Sequence, residues 1–519
     1  MERITRRDLL RQGAALGIGT LLAAGCTQNE TSSTQVSAAP TPRRGGRLTA
    51  GISGGSAKDT IQAWVEFSAV DTARNKQLYD RLIGEDHNFQ RQPELAEELT
   101  PNSGADEWTV RLRDGIEFHN GKTVSADDVI YSLLGITDPK NPTNGTTELS
   151  IVDRDNLQKL DTRTVRIPLT RPSSVFPDAL ALVSNVIVPV GYDPKQPIGT
   201  GPFKFKSFTP GQSSVFVRNE NYWREGQPYL DEIEIVDLTD DTARVNALLG
   251  GEVHCIDSLP LAQVPSIEGN PDLRVLSSET GSWVPFCMRV DAPPFDDVRV
   301  RQAFRLIVDR PQMVAQALGG QGRIANDIYG PFDPCYASDL PQRVQDIDEA
   351  KSLLRAAGQS NLAVDLFTSP ASQGMVESSQ VFVEQARQAG VNVNLRQLSP
   401  GDFYGDQYLQ YVFSMDYYYT RNLISQSLQG DFSTAPYNET HWDNPEYDSL
   451  IREAQATVDE TLRCEILHET QQMMYESGGY IIWGFRNIVD AHSSRAAGFV
   501  PDRSGINLTS YGFREVFLV

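Results

Sequence analysis

Several hallmarks of enzymes and nucleic-acid-binding proteins are missing from this chain of 519 residues. Lys and Arg together number 46 against 68 Asp and Glu, which gives a net charge of -22. So acidic a surface repels phosphate backbones, and no basic patch is interleaved with aromatics, so we expect no nucleic-acid partner. The 6 histidines are scattered, without HExxH or a close His/carboxylate cluster, so we predict no metal site.

Motifs of hydrolysis and nucleotide binding are weak. GxSxG occurs once, as Gly51-Ile52-Ser53-Gly54-Gly55 in the Gly/Ser loop after the first predicted strand, and so short a match alone is weak evidence for a nucleophile. No pair of carboxylates stands out as an acid pair. Gly199 and Gly201 flank Thr200, but no Lys-Ser/Thr follows in Walker spacing. We therefore predict a protein that is not an enzyme and needs no cofactor, with a secreted two-lobed hydrolase as the alternative from another class.

Cysteine is sparse, and no two cysteines form a CxxC motif. The last four cysteines either form disulfides or are buried free thiols, and the sequence alone does not pair them. The five positions are Cys26, Cys255, Cys287, Cys335 and Cys464.

Only the first residues contain an apolar run that suggests membrane targeting. TRRDLLR at residues 5–11 precedes the small-residue run Gly13 to Gly25. That run is roughly 13 residues long, against about 20 needed to span a bilayer, so it indicates a secretory signal. Arg6-Arg7 resembles the twin-arginine export motif, and an ordinary Sec signal is the alternative.

The signal is followed by features of a lipoprotein. Leu22-Ala23-Ala24-Gly25-Cys26 resembles a bacterial lipobox, so we predict residues 1–26 as a signal peptide that ends at a lipidated Cys26. Residues 27–45 are rich in Ser, Thr, Gln and Pro without apolar periodicity, which favours a flexible tether. Acyl chains and a tether predict an exported protein, held at the outer face of the cytoplasmic membrane or in the periplasm.

The remaining chain is long enough for two or three domains and alternates strands with helices. Leu48 to Ile52 and Trp108 to Leu112 have the patterns of strands. Apolar residues from Val300 to Val308 recur at helical spacing after Asp297. Beyond residue 340, helix 346–358, strand 364–368, helix 382–389 and strand 391–398 succeed one another, which predicts an α/β lobe with a mainly parallel sheet.

Several segments together resemble the family 5 extracellular solute-binding proteins, the dipeptide, oligopeptide and nickel receptors of ABC importers. The most specific is LRDGIEFHNGKTVSADDVIYSL, in which His119 is expected to be hydrogen-bonded within its turn. The resemblance covers residues 46–519 and is carried by segments 78–99, 112–133, 198–205, 219–235, 245–253 and 293–310.

The resemblance implies a two-lobed α/β fold of the type II periplasmic-binding-protein kind, hinged by two chain crossings. Lobe I would comprise residues 46–280 and 487–519, with an extra subdomain at about 70–195, and lobe II residues 281–486. The crossings would fall near Gly281 to Val284 and near Phe485 to Asn487. Ligand would be trapped when the lobes close.

The resemblance also suggests the ligand-binding residues. Peptide-binding relatives often hold the ligand's amino terminus with an Asp in the segment that matches 411–425; here Asp416 falls earlier and Arg421 lies near the expected position. Arg421 in the cleft would suit a carboxylate or phosphate, unless it lies on the surface or pairs with Asp416. Of Tyr417, Tyr418 and Tyr419, one or two at most are expected to line the cleft, because side chains alternate along a strand. Trp283 is a candidate wall, whereas Trp442 is expected to anchor a loop.

The predicted function is therefore that of a substrate-binding lipoprotein of an ABC importer. It would capture peptides or similar small organic solutes and deliver them to a permease and ATPase complex, held to the membrane by its lipid. A ligand sensor or chaperone with the same receptor fold is the other alternative.

Overall fold

The computed structural model of the protein describes residues 41–519. The predicted signal segment 1–26 with Cys26, and residues 27–40 of the predicted tether, lie outside the described residues. In the part that is described, no helix is both long enough and apolar enough to cross a membrane.

The first part of the described chain is a strand-rich α/β region that precedes the first crossing. Its elements are β1 Arg47–Ile52, α1 Ala69–Leu78, β2 Ile83–Glu85, β3 Arg91–Pro93, β4 Ala96–Pro101, β5 Glu107–Leu112, α2 Ala126–Ile136, β6 Gln158–Lys159, β7 Thr164–Pro168, α3 Phe176–Leu180, β8 Phe203–Thr209, β9 Ser213–Arg218, β10 Glu232–Asp237, α4 Asp241–Leu249, β11 Cys255–Ile256, α5 Val264–Glu268 and β12 Leu273–Trp283.

The second part carries most of the helices and returns to the first sheet at its end. Its elements are β13 Phe286–Met288, α6 Val298–Ile307, α7 Arg310–Ala317, β14 Gly322–Ile324, α8 Ile347–Ala356, β15 Ala363–Thr368, α9 Met375–Gln388, β16 Asn392–Gln397, α10 Pro400–Phe403, β17 Phe413–Met415, α11 Leu423–Gly430, α12 Pro445–Ala456, α13 Glu460–Ser477, β18 Tyr480–Ile481, β19 Gly484–Ser493, β20 Ala496–Ala497 and β21 Phe517–Leu518.

Local sequence signals account for several of these boundaries. The Asp297 carboxylate accepts a hydrogen bond from the Arg299 amide at 2.9 Å and so caps α6. Asp346 caps α8 in the same way, through the Glu349 amide at 2.9 Å. The Ser125 amide and hydroxyl both donate to Asp128 Oδ2 at the start of α2.

An eight-stranded sheet organises lobe I. Its main strand order is β12-β19-β11-β1-β10-β9-β8, and β14 pairs with β19 outside that path. A separate four-stranded sheet, β4-β5-β7-β6, packs with α2 around its own core, whose buried apolar residues run from Leu82 to Ile187. This four-stranded unit and its neighbouring loops are called the subdomain below.

Lobe II is built on a five-stranded sheet in the order β16-β15-β17-β13-β18. Strand β15 runs parallel to β16 and β17, but β13 runs antiparallel to both β17 and β18. The prediction of a mainly parallel sheet was therefore right for the strand-helix-strand unit β15-α9-β16 and wrong for the strands nearest the crossings. Strand β13 brings the chain into the lobe and β18 leads it back out beside β13, so these two neighbouring strands run in opposite directions.

The chain passes between the two large sheets twice, at adjacent places. Strand β12 ends in the lobe I sheet at Trp283 and β13 begins in the lobe II sheet at Phe286. The return runs from the end of β18 at Ile481 to the start of β19 at Gly484. The indole of the buried Trp483 donates to the Val284 carbonyl at 2.8 Å, which ties the two crossings together.

Two of the four cysteines left open by the sequence are bonded to each other. Cys335 and Cys464 form a disulfide across a sequence separation of 129 residues, whereas Cys255 and Cys287 are free and buried. Disulfides persist mainly in oxidising compartments, so this bond agrees with export.

The histidine of the most specific family segment has a structural role, but its hydrogen bonds lie outside the turn in which they were predicted. His119 Nε2 lies 3.0 Å from the Gly201 carbonyl, and its Nδ1 accepts from the Gly199 amide at 3.3 Å. Burial lowers the pKa of His119 to about 4, so the ring is neutral and joins its turn to the loop that precedes β8.

Candidate ligand cavity

A cavity of about 850 Å³ lies between the subdomain and lobe II, and we call it the main cavity. The subdomain contributes polar residues from its loops and from α3, among them Glu148, Arg171 and Asp178. Lobe II contributes an aromatic and acidic wall made up chiefly of Tyr404, Tyr408, Asp416, Tyr417, Tyr418, Tyr419, Phe432, Tyr437 and Glu439. Its volume and mixed lining suit a small organic molecule.

The segment that follows β17 supplies the predicted tyrosines. Tyr418 exchanges backbone hydrogen bonds with Trp283 at 3.0 and 2.9 Å, which fixes the segment as extended chain beside the first crossing. Tyr418 is buried on one face, while the rings of Tyr417 and Tyr419 contact each other on the opposite face, 5.8 Å between centroids. All three nevertheless line the main cavity, so the expectation of one or two was wrong: the cavity contacts both faces of this segment.

The structure places Trp283 in the core and off the cavity wall. Its ring is buried and stacks on Tyr418 at 4.5 Å and on Tyr329 at 5.6 Å between centroids. Tyr418 lies between Trp283 and the cavity, so Trp283 supports the wall from behind. Trp442 is also buried, against Tyr447, as expected of a loop anchor.

Asp416 faces the main cavity as a buried carboxylate held by hydroxyl groups. Its Oδ1 accepts from the Tyr404 hydroxyl at 2.9 Å and from the Tyr417 amide at 2.7 Å. Its Oδ2 accepts from the Tyr408 hydroxyl at 2.9 Å. Asp416 is 4% exposed, so almost all of its hydration has been replaced by these three donors.

A second carboxylate, Glu439, lies beside Asp416 and was not predicted. The Tyr408 hydroxyl is 3.2 Å from Glu439 Oε1 and so bridges the two acids. The Tyr418 hydroxyl lies 2.7 Å from both Glu439 oxygens, and the Tyr480 hydroxyl donates to Oε2 at 2.6 Å. We call Asp416 and Glu439 the acid pair.

Nothing in the described chain neutralises the acid pair. No nitrogen of Lys, Arg or His in residues 41–519 lies within 4.0 Å of either carboxylate. Burial raises the pKa of Asp416, and burial together with the charge of Asp416 raises the pKa of Glu439 well above its ordinary value. Two adjacent buried carboxyls of this kind keep a shared proton to a higher pH than exposed carboxyls do, because a second charge beside the first is unfavourable without a cation.

Arg421 lines the main cavity and has an acidic neighbour other than the predicted one. Its Nη1 lies 3.9 Å from Glu148 Oε1 of the subdomain, and Asp416 is not its partner. At that distance the ion pair is loose, and burial lowers the pKa of Arg421. The guanidinium is therefore available to a ligand anion as well as to Glu148.

Direct contacts join the subdomain to lobe II at the rim of the main cavity. Asp178 Oδ1 accepts from Arg91 Nε at 2.6 Å, and its Oδ2 accepts from Asn422 Nδ2 at 2.9 Å and from the Ser425 hydroxyl at 3.4 Å. We call these contacts the Asp178 latch. Next to it, the Ser174 amide donates to the Gln455 carbonyl at 2.6 Å.

We expect the change Asp178→Ala to shift the lobes towards an open arrangement. It removes the acceptor of two hydrogen bonds across the cleft, each worth about 1.5–3 kcal/mol when charged. Small-angle X-ray scattering without ligand should give a larger radius of gyration than for the unmodified protein. Asp127→Ala, which removes an exposed carboxylate within the subdomain, is the matched control. Identical scattering from Asp178→Ala and the control would show that the latch does not hold the lobes.

The residues missed by sequence reasoning left weak signals. Glu439 lies in NETHWDNPEYDSL, a segment considered only for Trp442, and Tyr404 and Tyr408 come from the tyrosine-rich stretch before β17. In residues 41–519, no three side chains of His, Cys, Asp or Glu are arranged to hold a metal ion.

Comparison with known proteins decides the family. The family model described as bacterial extracellular solute-binding proteins, family 5 Middle, matches residues 90–444. This chain belongs to family 5 of the bacterial extracellular solute-binding proteins. It is therefore a solute-binding protein of the class that serves ABC importers, exported from the cytoplasm, and is not an enzyme.

Individual relatives of this family 5 protein cover nearly the whole chain. Glutathione-binding protein GsiB of Escherichia coli (strain K12) is 24% identical over 494 residues, which are 89% of this chain and 93% of the relative. Among solved structures, AgaA from A. tumefaciens R10 in complex with agropinic acid has a TM-score of 0.74 and 25% identity, with 91% of this chain and 99% of that chain covered. DppA from Helicobacter pylori in complex with peptide STSA has a TM-score of 0.74 and 20% identity, with coverages of 92% and 98%. These matches confirm the predicted two-lobed α/β fold.

Proposed function

We propose that this family 5 protein captures a small zwitterionic organic solute, such as a short peptide, in the main cavity and passes it to an ABC permease and its ATPase. The observation that carries the proposal is the cavity of about 850 Å³ between the subdomain of lobe I and lobe II, which both contribute to its lining. A ligand in that position contacts both lobes at once. Binding energy therefore favours the closed arrangement, which a membrane partner recognises by shape.

The charges of the wall give the ligand its chemical class. The acid pair takes an ammonium group, since it has no cation of its own in the described chain and four hydroxyl groups already orient its oxygens. Arg421 binds the carboxylate of the ligand, which replaces its loose contact with Glu148 at 3.9 Å. Tyr417 and Tyr419 offer ring faces and edges to the apolar part of the ligand, and Trp283 keeps Tyr418 in place.

The ligands of several relatives agree with such a cargo. One curated relative is a glutathione-binding protein, and two solved relatives hold agropinic acid and a peptide. Membrane attachment belongs to the same proposal: lipidation at Cys26, followed by the tether, would keep the receptor close to its permease.

Thermal unfolding of the purified protein against a library of small molecules tests the proposal. The library contains di- to pentapeptides, other zwitterions, organic acids, sugars and metal chelates. A ligand of the folded state adds about 2.7 kcal/mol of stability at a hundredfold excess over its dissociation constant. We expect zwitterions to raise the melting temperature and to be recovered unchanged. Stabilisation by sugars or chelates alone would refute the ligand class, and breakdown of a bound compound would refute the receptor role.

A further inference from the structure

A second cavity of about 560 Å³ adjoins the main cavity. Most of its lining residues belong to lobe I, and the segment 419–425 of lobe II completes it. The two cavities share Asn144, Glu148, Asp178, Leu182, Tyr419, Arg421 and Ser425. Arg421 borders both cavities, so a ligand anchored there lies next to the second cavity.

Four polar side-chain atoms of residues lining the second cavity are buried without any hydrogen-bond partner in the described chain. They are Glu66 Oε1, Ser68 Oγ, Glu148 Oε2 and Ser184 Oγ. Ser184 is 2% exposed, so its hydroxyl has lost bulk water and gained no partner from the protein. Buried polar atoms are almost always satisfied in folded proteins, and four exceptions in one cavity point to a missing partner.

The protein holds Glu66 and Ser68 rigidly in these positions. Asn144 accepts from the Glu66 amide at 2.9 Å and donates to the Glu66 carbonyl at 3.0 Å. The Thr72 hydroxyl donates to Glu66 Oε2 at 2.8 Å, which leaves Oε1 unpartnered. Ser68 occupies the N-cap position of α1, yet its hydroxyl makes no capping bond.

The opposite wall is built from a strained turn near the carboxyl end of the chain. Leu508, Thr509, Ser510 and Tyr511 all have positive φ, between 49° and 59°, although none is glycine. Such a left-handed turn costs roughly 1–2 kcal/mol per residue. It is held by Asp490, whose carboxylate accepts from the Leu508 amide at 2.6 Å and from Asn507 Nδ2 at 2.7 Å. Asn507 and Tyr511 both line the second cavity.

A hydrogen-bond donor can satisfy all four atoms, and a cation fits best. Two of the four atoms are carboxylate oxygens, which only accept while ionised, and two are hydroxyls that can accept. No nitrogen of Lys, Arg or His in residues 41–519 lies within 4.0 Å of the Glu66 carboxylate. Arg91, the nearby cation of this wall, is already bonded to Glu85 and Asp178. Burial raises the pKa of Glu66 to about 7, as expected of a carboxyl without a counter-charge.

We propose that the second cavity is a subsite for a cationic side group of the ligand, an ammonium or guanidinium, bound by Glu66 with Ser68, Ser184 and Glu148. This inference extends the proposed function, since it assigns a basic side chain to the zwitterion of the main cavity. It explains why the acceptors of the second cavity lack partners in the protein itself.

The first test uses n-butylguanidinium and its uncharged analogue n-butylurea, followed by ligand-observed NMR and calorimetry. We expect the purified protein to bind n-butylguanidinium and to bind n-butylurea about tenfold more weakly or not at all. Glu66→Gln should weaken the cation by about tenfold and remove its preference over the urea, and Ser184→Ala should weaken it severalfold. Glu268→Gln and Ser266→Ala, exposed on α5, are matched controls for the two changes.

Two outcomes overturn the inference. One is equal binding of n-butylguanidinium to Glu66→Gln, Ser184→Ala and their controls, and the other is equal binding of the cation and the urea. Ser184→Ala keeps the test decisive if Glu66→Gln fails to fold, because the Ser184 hydroxyl bonds to nothing in the described chain. A different result would refute the proposed function alone. In that result the second cavity binds n-butylguanidinium with the expected dependence on Glu66, but no zwitterion stabilises the protein.

Discussion

The double variant Asp416→Asn/Glu439→Gln is expected to bind a zwitterionic ligand about 100-fold to 1,000-fold more weakly than the unmodified protein. Loss of one side of a buried charge pair typically costs 2–5 kcal/mol, and here the ligand's ammonium would lose both carboxyls. Each amide keeps one oxygen that accepts from the tyrosine hydroxyls, and its NH2 group can donate to a hydroxyl that has lost its acceptor, because a tyrosine hydroxyl both donates and accepts. The shape of the wall is therefore retained. Titration calorimetry with a ligand from the library measures the change.

The same variant should be at least as stable as the unmodified protein in the absence of ligand. It replaces two buried carboxyls that lack a cation within 4.0 Å in the described chain, and such groups cost stability. Loss of binding without loss of stability separates a role in the ligand site from a role in folding. Asp365→Asn, a surface carboxylate paired with Arg396 on the far strands of lobe II, is the matched control. Unchanged affinity in the double variant would remove the acid pair from the site.

Binding at the acid pair should release a proton. Burial raises the pKa of both acids, so the pair keeps a proton to a higher pH than exposed carboxyls do, and an arriving ammonium displaces that proton. Affinity should therefore rise with pH until the free pair has lost that proton. The other groups facing the pair stay neutral there, because burial raises the pKa of each: Tyr404, Tyr408, Tyr418, Tyr480 and Cys287. Calorimetry in two buffers of different ionisation enthalpy measures the released proton, which the double variant should lack.

Local structure was the part of this molecule that could be read from the sequence. Helices α6 and α8 begin directly after the carboxylates of Asp297 and Asp346, because an N-cap needs only residues within one turn. Helix α9 begins at Met375, earlier than the predicted residue 382, because its first turns bury Ser378 and Ser379 in place of apolar residues. Apolar periodicity cannot detect a buried polar turn.

The site depended on contacts that are distant in sequence. In the Asp178 latch, Asp178 and Asn422 are 244 positions apart in the sequence. Glu66 and Asn144, which are hydrogen-bonded to each other, are 78 positions apart. Asp416 was recognised from its segment, but Glu439 was not, since its role arises from a shared contact with Tyr408. Whether an acidic residue is solvated or buried beside another acid is decided by tertiary packing, which a single sequence does not display.

Asp431 offers a test of how much a buried acid near the main cavity lowers the stability of the folded protein. It follows α11, the helix that carries Ser425 to the Asp178 latch, and is 2% exposed. Neither of its oxygens makes a well-formed hydrogen bond in the described chain, although the Tyr329 hydroxyl is near. Burial raises the pKa of Asp431 to about 7, so the folded protein takes up a proton that the unfolded chain releases above about pH 4.

Asp431→Asn is therefore expected to stabilise the protein, and more so at high pH. Because the folded-state pKa is raised, the unmodified protein loses stability as pH rises from about 4 to about 7, and beyond that the loss is complete. The neutral amide escapes this loss, which amounts to up to about 4 kcal/mol at pH 8 and much less at pH 5. Urea unfolding at the two pH values measures the difference between variant and unmodified protein.

Asp490→Asn is the informative comparison for Asp431→Asn. Burial also raises the pKa of Asp490 to about 7, but its oxygens accept from the Ser258 amide, the Leu508 amide and Asn507 Nδ2. These donors are N–H groups, and one amide oxygen cannot accept from all three. Asp490→Asn should therefore loosen the left-handed turn of the second cavity, and its gain in stability at pH 8 should be smaller than that of Asp431→Asn. A gain at pH 8 for Asp490 and none for Asp431 would contradict the account. The expected order would show that acids near the ligand cavities reduce stability unless the protein or a ligand supplies their donors.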